Sequence, residues 1–142
     1  MPCNTCQQTN GTVAQSQATP GKMILVVEDD PRIAEAYAIR CESAGYQVRT
    51  AVNGVSAVLY SQEERPDLII MDVWMPAGIG LSVAQRLRSL GLADVPIIFV
   101  TASKLPGLRQ AAEKLGAAGF LEKPVDANSL LKLVGDVLAP SH

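Results

Sequence analysis

The sequence predicts an α/β domain in which a five-stranded parallel sheet is covered on both faces by helices. Short apolar runs end in polar residues, as strands buried on both faces do, and segments with helical spacing separate them. Hydrophobic residues form 48% of the 142 residues but aromatic residues only 4%, so aliphatic side chains must build the core. A chain of this length suits one such domain.

Five segments are predicted as strands. The first, third and fourth are continuous apolar runs, and Pro66 and Pro96 introduce the third and fourth. The second and fifth are weaker candidates that follow the glycine turns at Gly45 and Gly116. The predicted strands cover residues 23–27, 47–51, 68–71, 97–100 and 119–121.

Helices are predicted between the strands, where apolar residues recur every three or four positions. Asp30 and Pro31 are suited to cap and begin the first helix, and Asp126 can cap the last. Right-handed crossovers between parallel strands place helices on both faces of the sheet. The predicted helices cover residues 31–44, 54–62, 80–90, 108–115 and 128–138.

The predicted organisation is a flexible polar tail at residues 1–22, one domain at 23–139 and a short C-terminal tail at 140–142. The first segment is rich in Gln, Thr, Asn and Ser, so burial could not offset the entropy of ordering it. Cys3 and Cys6 lie there, but the only histidine is His142, which argues against a closed zinc site. Cys41 is expected to pack on the first helix.

Charge and hydropathy exclude several classes of function. The formal net charge is -2, so no basic surface for a nucleic-acid backbone is expected. No apolar run approaches the roughly 20 residues that cross a bilayer, and the first 22 residues lack the pattern of a signal peptide. A cytoplasmic protein without direct nucleic-acid or membrane contact is therefore predicted.

The residues that could carry chemistry follow the predicted strands. Glu28 and Asp29 follow the first strand, Asp72 the third, Thr101 the fourth and Lys123 the fifth. The carboxyl ends of parallel strands share one edge, and in a doubly wound sheet of order 2-1-3-4-5 the ligand crevice lies between strands one and three. Those two strands carry the acids, so a site is predicted at that edge.

The residue types at this edge favour a divalent cation and a phosphoryl group. Three gathered carboxylates would repel one another unless a cation were present. Oxygen ligands suit Mg²⁺, with Mn²⁺ also possible, and Mg²⁺ takes few carboxylates together with a phosphate oxygen. Asp72 is the predicted nucleophile, whose attack would form an acyl phosphate. Lys123 could bind one phosphoryl oxygen, and the Thr101 hydroxyl could donate a hydrogen bond to another.

Four motifs in order resemble the receiver domains of two-component response regulators. The resemblance extends from Met23 to about Leu138 and implies a flavodoxin-like (βα)5 fold with strand order 2-1-3-4-5. The motifs are ILVVEDDP at 24–31, IMD at 70–72 with Met75-Pro76, VTA at 100–102 and GFLEKP at 119–124.

The resemblance also implies roles for single residues. Glu28 and Asp29 would hold Mg²⁺, Glu28 through water, and the Trp74 backbone carbonyl would complete the protein ligands. The peptide between Lys123 and Pro124 would be cis. Thr101 and Phe120 would form a switch. Because Phe120 lacks a hydroxyl, we expect its ring to favour the inward position before phosphorylation.

The function predicted is that of a single-domain response regulator. A histidine kinase or histidine phosphotransfer protein would donate the phosphoryl group, and an unidentified output protein would bind differently afterwards. No enzymatic turnover is expected beyond its own phosphotransfer and dephosphorylation. The large Trp74 side chain would slow the dephosphorylation by hindering the attacking water. The fifth helix lacks the acid and arginine set used for pairing in many relatives, so a monomer or weak dimer is expected.

Other functions remain open at this point. A receiver fold could act as an interaction module independent of phosphorylation, although Asp72, Thr101 and Lys123 argue against this. A phosphatase with an aspartate nucleophile would need an acid where Trp74 stands. A dinucleotide-binding role would need a glycine-rich turn after the first strand, where acids stand instead.

Overall fold

A computed structural model describes residues 21–75, 78–102 and 106–139, and only the backbone of residues 74, 75, 78 and 79. Within these ranges strands and helices alternate along the chain. The elements are β1 (Met23–Val27), α1 (Pro31–Ser43), β2 (Gln47–Ala51), α2 (Gly54–Glu63), β3 (Leu68–Asp72), α3 (Gly80–Leu87), β4 (Ile97–Thr101), α4 (Leu108–Lys114), β5 (Gly119–Glu122) and α5 (Ala127–Leu138).

The five strands form one parallel sheet in the order β2-β1-β3-β4-β5, which confirms the predicted fold class. The register pairs Val27 with Met71 and places Asp72 opposite Val100. Along the edge strand β5, Phe120 lies opposite Phe99, and Glu122 lies opposite Thr101. The winding direction reverses between β1 and β3, which is the strand arrangement that the predicted crevice requires.

The sheet has an apolar layer on each face. Alternate residues of the central strands point to opposite sides, so Ile24 and Val26 belong to one layer and Leu25 and Val27 to the other. The first layer also contains Cys41, which was expected to pack on the first helix and lies within it, fully buried. Burial raises the pKa of its thiol to about 12. Both faces are covered by helices, as the continuous apolar strands require.

Three helices begin at side-chain caps. Asp30 accepts from the Arg32 N–H, and Asp126 accepts from the Ser129 N–H, so both predicted caps are confirmed. The third cap is Asn53, which accepts from the Ser56 N–H at the start of α2.

Two local features differ from the sequence predictions. The third helix was predicted to continue to residue 90 but ends at Leu87, because a wide turn at Arg88–Leu92 follows in which Gly91 has a φ of 94°. A short antiparallel pair, Trp74–Met75 with Gly78–Ile79, lies between β3 and α3 and was not predicted. The other element boundaries agree to within one residue.

The structure tests the predicted organisation only in part. Residues 1–20 and 140–142, with Cys3, Cys6 and His142, lie outside the described residues. The flexible tail and the domain boundaries therefore stay predictions. Among the helices that the structure describes, none is both long enough and apolar enough to span a bilayer.

Candidate functional site

The carboxyl edge of the sheet brings together the polar residues that follow its strands. Glu28 follows β1, Asp72 ends β3, Thr101 ends β4 and Lys123 follows β5. Glu28 and Thr101 are each 1% exposed and Asp72 is 7% exposed, whereas Asp29 faces solvent. Charged and polar groups buried to this degree need partners, so their contacts define the site.

Lys123 links the two buried carboxylates. Its Nζ lies 2.8 Å from Glu28 Oε1 and 3.2 Å from Asp72 Oδ2. The other Glu28 oxygen, Oε2, accepts a hydrogen bond of 3.1 Å from the Asp30 N–H. One ammonium group thus serves two acids that come from different strands.

The carboxylates of Glu28, Asp29 and Asp72 form a compact cluster. One oxygen from each lies within 4.8 Å of the others. The three carboxylates of the cluster supply oxygen donors of the kind that a hard divalent cation such as Mg²⁺ prefers.

Burial and neighbouring charges shift the pKa values of Glu28 and Lys123. Burial raises the pKa of Glu28, hydrogen bonds from Lys123 and the Asp30 N–H oppose the rise, and the charge of Asp72 adds to it. Burial alone would lower the pKa of Lys123, but its contacts with Glu28 and Asp72 raise it overall. The ammonium is therefore held in its charged form by the acids it contacts.

The fifth strand connects the lysine to the predicted switch residues. The Lys123 N–H donates to the Thr101 carbonyl at 2.8 Å, and the peptide between Lys123 and Pro124 is cis, as the resemblance implied. Phe120 is half-buried and packs against the apolar layer that contains Phe99. The guanidinium carbon of Arg109, in α4, lies 4.9 Å from the centre of the Phe120 ring.

Trp74 lies in the short antiparallel pair, two residues after Asp72. Its side chain is outside the described part of the chain, so its predicted effect on dephosphorylation stays a prediction. The same holds for its backbone carbonyl as a metal ligand.

Gly80 is a residue of this site that the sequence reasoning missed. A Cβ on Gly80 would collide with the backbone carbonyl oxygen of Asp72. The first residue of α3 must therefore be a glycine for the helix to approach the end of β3 this closely. The only signal in the sequence was a glycine at a predicted helix start, where it could have been read as a weak cap.

Comparison with known protein families matches residues 24–135 to the response regulator receiver domain. Protein PilH of Pseudomonas aeruginosa is 33% identical over 117 residues, which cover 82% of this chain and 97% of PilH. RpaA of Synechocystis sp., a DNA-binding dual master transcriptional regulator, is 36% identical over 121 residues, which cover 81% of this chain. The chain spans 48% of the length of RpaA.

The solved structures support the same relationship. The chemotaxis protein CheY4 of Vibrio cholerae superposes with a TM-score of 0.79 at 33% identity. The superposition covers 83% of this chain and 99% of the CheY4 chain. The family match at residues 24–135 includes Glu28, Asp72, Thr101 and Lys123.

Proposed function

Because this chain belongs to the response regulator receiver domain family of two-component signalling, we propose that it accepts a phosphoryl group on Asp72 and signals through altered binding of a protein partner. Receiver domains are signalling modules, and the matched family is not one of enzymes that turn over an external substrate. The phosphoryl donor would be a histidine kinase or a histidine phosphotransfer protein.

The observation that carries the proposal is the position of Lys123. Its ammonium contacts Asp72 directly and lies beside the carboxylate cluster. A carboxylate that attacks a phosphorus centre needs positive charge to offset the anionic reactants, and a fixed ammonium provides it without reorganisation. The arrangement therefore supports Asp72 as the nucleophile.

The proposed step transfers one phosphoryl group between two residues. A carboxylate oxygen of Asp72 forms a bond to phosphorus while the bond between phosphorus and the donor imidazole nitrogen breaks, and the imidazole retains that electron pair. Lys123 neutralises a phosphoryl oxygen, and the Thr101 hydroxyl donates a hydrogen bond to another. We propose that Glu28, Asp29, Asp72 and the Trp74 carbonyl hold Mg²⁺, or Mn²⁺ in its place, which would offset the negative charge of the phosphoryl group when bound.

The signal would pass through Thr101 and Phe120. Thr101 lies at the site, and its backbone carbonyl accepts a hydrogen bond from the N–H of Lys123, the residue after the strand that carries Phe120. A new charge at Asp72 would draw the Thr101 hydroxyl toward the phosphoryl group and change the room available to the Phe120 ring. The inward position of the Phe120 ring before phosphorylation stays a prediction. The guanidinium of Arg109, which lies over this ring, is one interaction that would influence the position.

Intact-protein mass spectrometry after incubation with acetyl phosphate tests the acceptor. We expect a mass gain of one phosphoryl group on the wild type with Mg²⁺, and none with a chelator or in Asp72→Asn. Asp94→Asn is the matched control, because Asp94 is a carboxylate that precedes β4 at the other edge of the sheet. A wild type that gains no mass, or a gain that persists in Asp72→Asn, would instead favour an interaction module independent of phosphorylation.

Phe120 ring resonances test the switch. Spectra with and without beryllofluoride, a phosphoryl mimic, should show an inward ring in both states if the inward position is already favoured. A crystal structure of the beryllofluoride complex with the ring turned outward would contradict this role for Phe120.

A further inference from the structure

The C-terminal end of α4 is firmly attached to its surroundings. Arg88, in the wide turn after α3, donates a hydrogen bond of 2.9 Å from Nη1 to the Leu115 carbonyl. Ala112 is fully buried, and the Ala118 N–H donates to the Ile97 carbonyl of β4 at 2.8 Å. The last turn of the helix is therefore fixed both to the sheet and to the turn after α3.

The N-terminal end of α4 is held in a different way. Gly107 occupies the cap position with a φ of 89°, and a glycine has no side chain to accept from the first N–H groups of the helix. Leu108 packs against the apolar layer that contains Phe99. Arg109, the next residue, lies over the Phe120 ring, with its guanidinium carbon 4.9 Å from the ring centre. The first turn of α4 thus contacts β5 through Arg109.

The contact between Arg109 and Phe120 depends on where the ring lies. Phe120 is half-buried against the apolar layer, whereas Arg109 is exposed. The negative face of an aromatic ring attracts a guanidinium that lies within about 6 Å of its centre. Phenylalanine has no hydroxyl, so the ring is the part of this side chain that can hold a cation. A ring that turns must therefore either break the contact or take the guanidinium with it.

We propose that Arg109 couples the Phe120 ring to the first turn of α4, so that the ring and this turn change position together. Arg109 is then a positioning residue, which acts through the ring rather than on the phosphoryl group. Because the far end of α4 is fixed, a change in the ring position would be expressed at the first turn. The coupling is a property of the fold, whereas the phosphorylation that moves the ring rests on the proposed function.

Amide hydrogen exchange, measured by NMR on the full chain, tests the coupling. The Ala111 N–H donates to the Gly107 carbonyl at 2.9 Å and reports the first turn, whereas the Ala117 N–H donates to the Ala112 carbonyl at 3.1 Å and reports the fixed end. Arg109→Met removes the charge but keeps a long side chain of similar helix propensity. Exchange at Ala111 should become roughly two- to fivefold faster, the factor that corresponds to an exposed contact of this kind. Exchange at Ala117 should not change.

A double-mutant cycle separates the coupling from a merely structural effect. Phe120→Leu removes the ring and should speed exchange at Ala111 as Arg109→Met does, and the double variant should exchange no faster than either single variant. Phe120→Ile is a second variant without a ring, for use if Phe120→Leu does not fold. Lys114→Met is the matched control, because it removes an exposed cation from the last turn of α4 and should leave Ala111 unchanged. Circular dichroism melting verifies that the variants fold.

Three outcomes of the exchange experiment overturn the proposal. The first is an Ala111 rate that Arg109→Met leaves unchanged. The second is a double variant in which the effects of the two single variants multiply. The third is an equal effect of Lys114→Met.

A second measurement applies the proposed input. On addition of Mg²⁺ and beryllofluoride, the change in the Ala111 amide shift should be at least halved in Arg109→Met, while the change at Thr101 stays as in the wild type. Equal changes at Ala111 in the two proteins would also overturn the coupling. A wild type without any change at Thr101 would contradict the proposed function instead, and the exchange cycle would decide the coupling by itself.

Discussion

The two edges of the sheet arrange the same kinds of charged residues differently. At the amino edge, Asp67 accepts from the Met23 N–H at 2.8 Å, and Asp94 pairs with Arg65. Each of these carboxylates has a donor of its own. At the carboxyl edge, Glu28, Asp29 and Asp72 form one cluster, and the ammonium of Lys123 contacts both Glu28 and Asp72.

The difference is the physical basis of the roles proposed for the two edges. A carboxylate in an exposed ion pair stabilises the fold only slightly. Its charge is already balanced by its partner, so it has no need of a cation. Three carboxylates held in one cluster repel one another, and a cation can offset that repulsion. In the proposed function, the cluster recruits Mg²⁺ for this reason. Changing the balance at either edge tests this contrast.

Removing the lysine should have the largest effect. Lys123→Met leaves the buried Glu28 and Asp72 without their shared ammonium, so we expect a loss of about 3 kcal/mol in the free energy of unfolding without metal. Phosphorylation by acetyl phosphate should fall at least roughly 100-fold. Guanidinium chloride unfolding and the rate of mass gain measure the two effects. An unchanged rate would show that Lys123 does not act on the phosphoryl group.

Gly80→Ala should have the next largest effect, because the new Cβ meets the backbone carbonyl of Asp72. Backbone must move to relieve this contact, so we expect a loss of about 2 kcal/mol in stability, within the range for overpacking, together with slower phosphorylation. In Gly54→Ala the new Cβ meets only the Val83 side chain, and it should affect phosphorylation little. Equal phosphorylation rates in the two variants would refute this account of Gly80.

The pH dependence of stability tests the state of Glu28 at the carboxyl edge. The raised pKa of Glu28 means that the folded state binds its proton more tightly than the unfolded state. Its contribution to stability is therefore complete below the ordinary pKa of 4.5 and is lost as the pH rises through the folded-state value. In chelator, wild type should lose this contribution on going to neutral pH, and Glu28→Gln should not. Parallel stability curves for the two proteins would contradict the assignment.

Breaking a pair at the amino edge should have the smallest effect. Arg65 and Asp94 are both exposed, so Asp94→Asn should cost less than about 1 kcal/mol, and high salt should reduce that cost further. Phosphorylation should be unchanged. Urea unfolding at low and high salt, with the mass assay, measures both. A large loss of phosphorylation would show that the two edges are not independent.

The sequence was sufficient for most of the fold because the strands are strongly marked. Continuous apolar runs at β1, β3 and β4 end in the residues that form the site, and parallel geometry brings those ends together. The end of α3 was not predictable in this way, because apolar spacing continues to Leu90 while the turn depends on the backbone angle of Gly91. A strand pair of two residues each has too few positions to show a period.

The site was predictable in its membership but not in its contacts. The positions of Glu28, Asp72 and Lys123 after their strands predicted that they belong to the site. That the Lys123 ammonium contacts both carboxylates is seen only in the folded structure. The role of Gly80 depends on how closely α3 approaches the end of β3, and spacing in the sequence does not encode that distance. These features arise from tertiary packing alone.

The pairing of β5 with β4 has a consequence for building chimeric proteins. Phe120 lies opposite Phe99 and Glu122 opposite Thr101. A one-residue slip would move each side chain to the other face, turning Lys123 away and bringing Glu122 toward the acids. A graft that exchanges α4 for that of another relative can therefore vary the connecting loops in length, but it must keep these two strands aligned as they are.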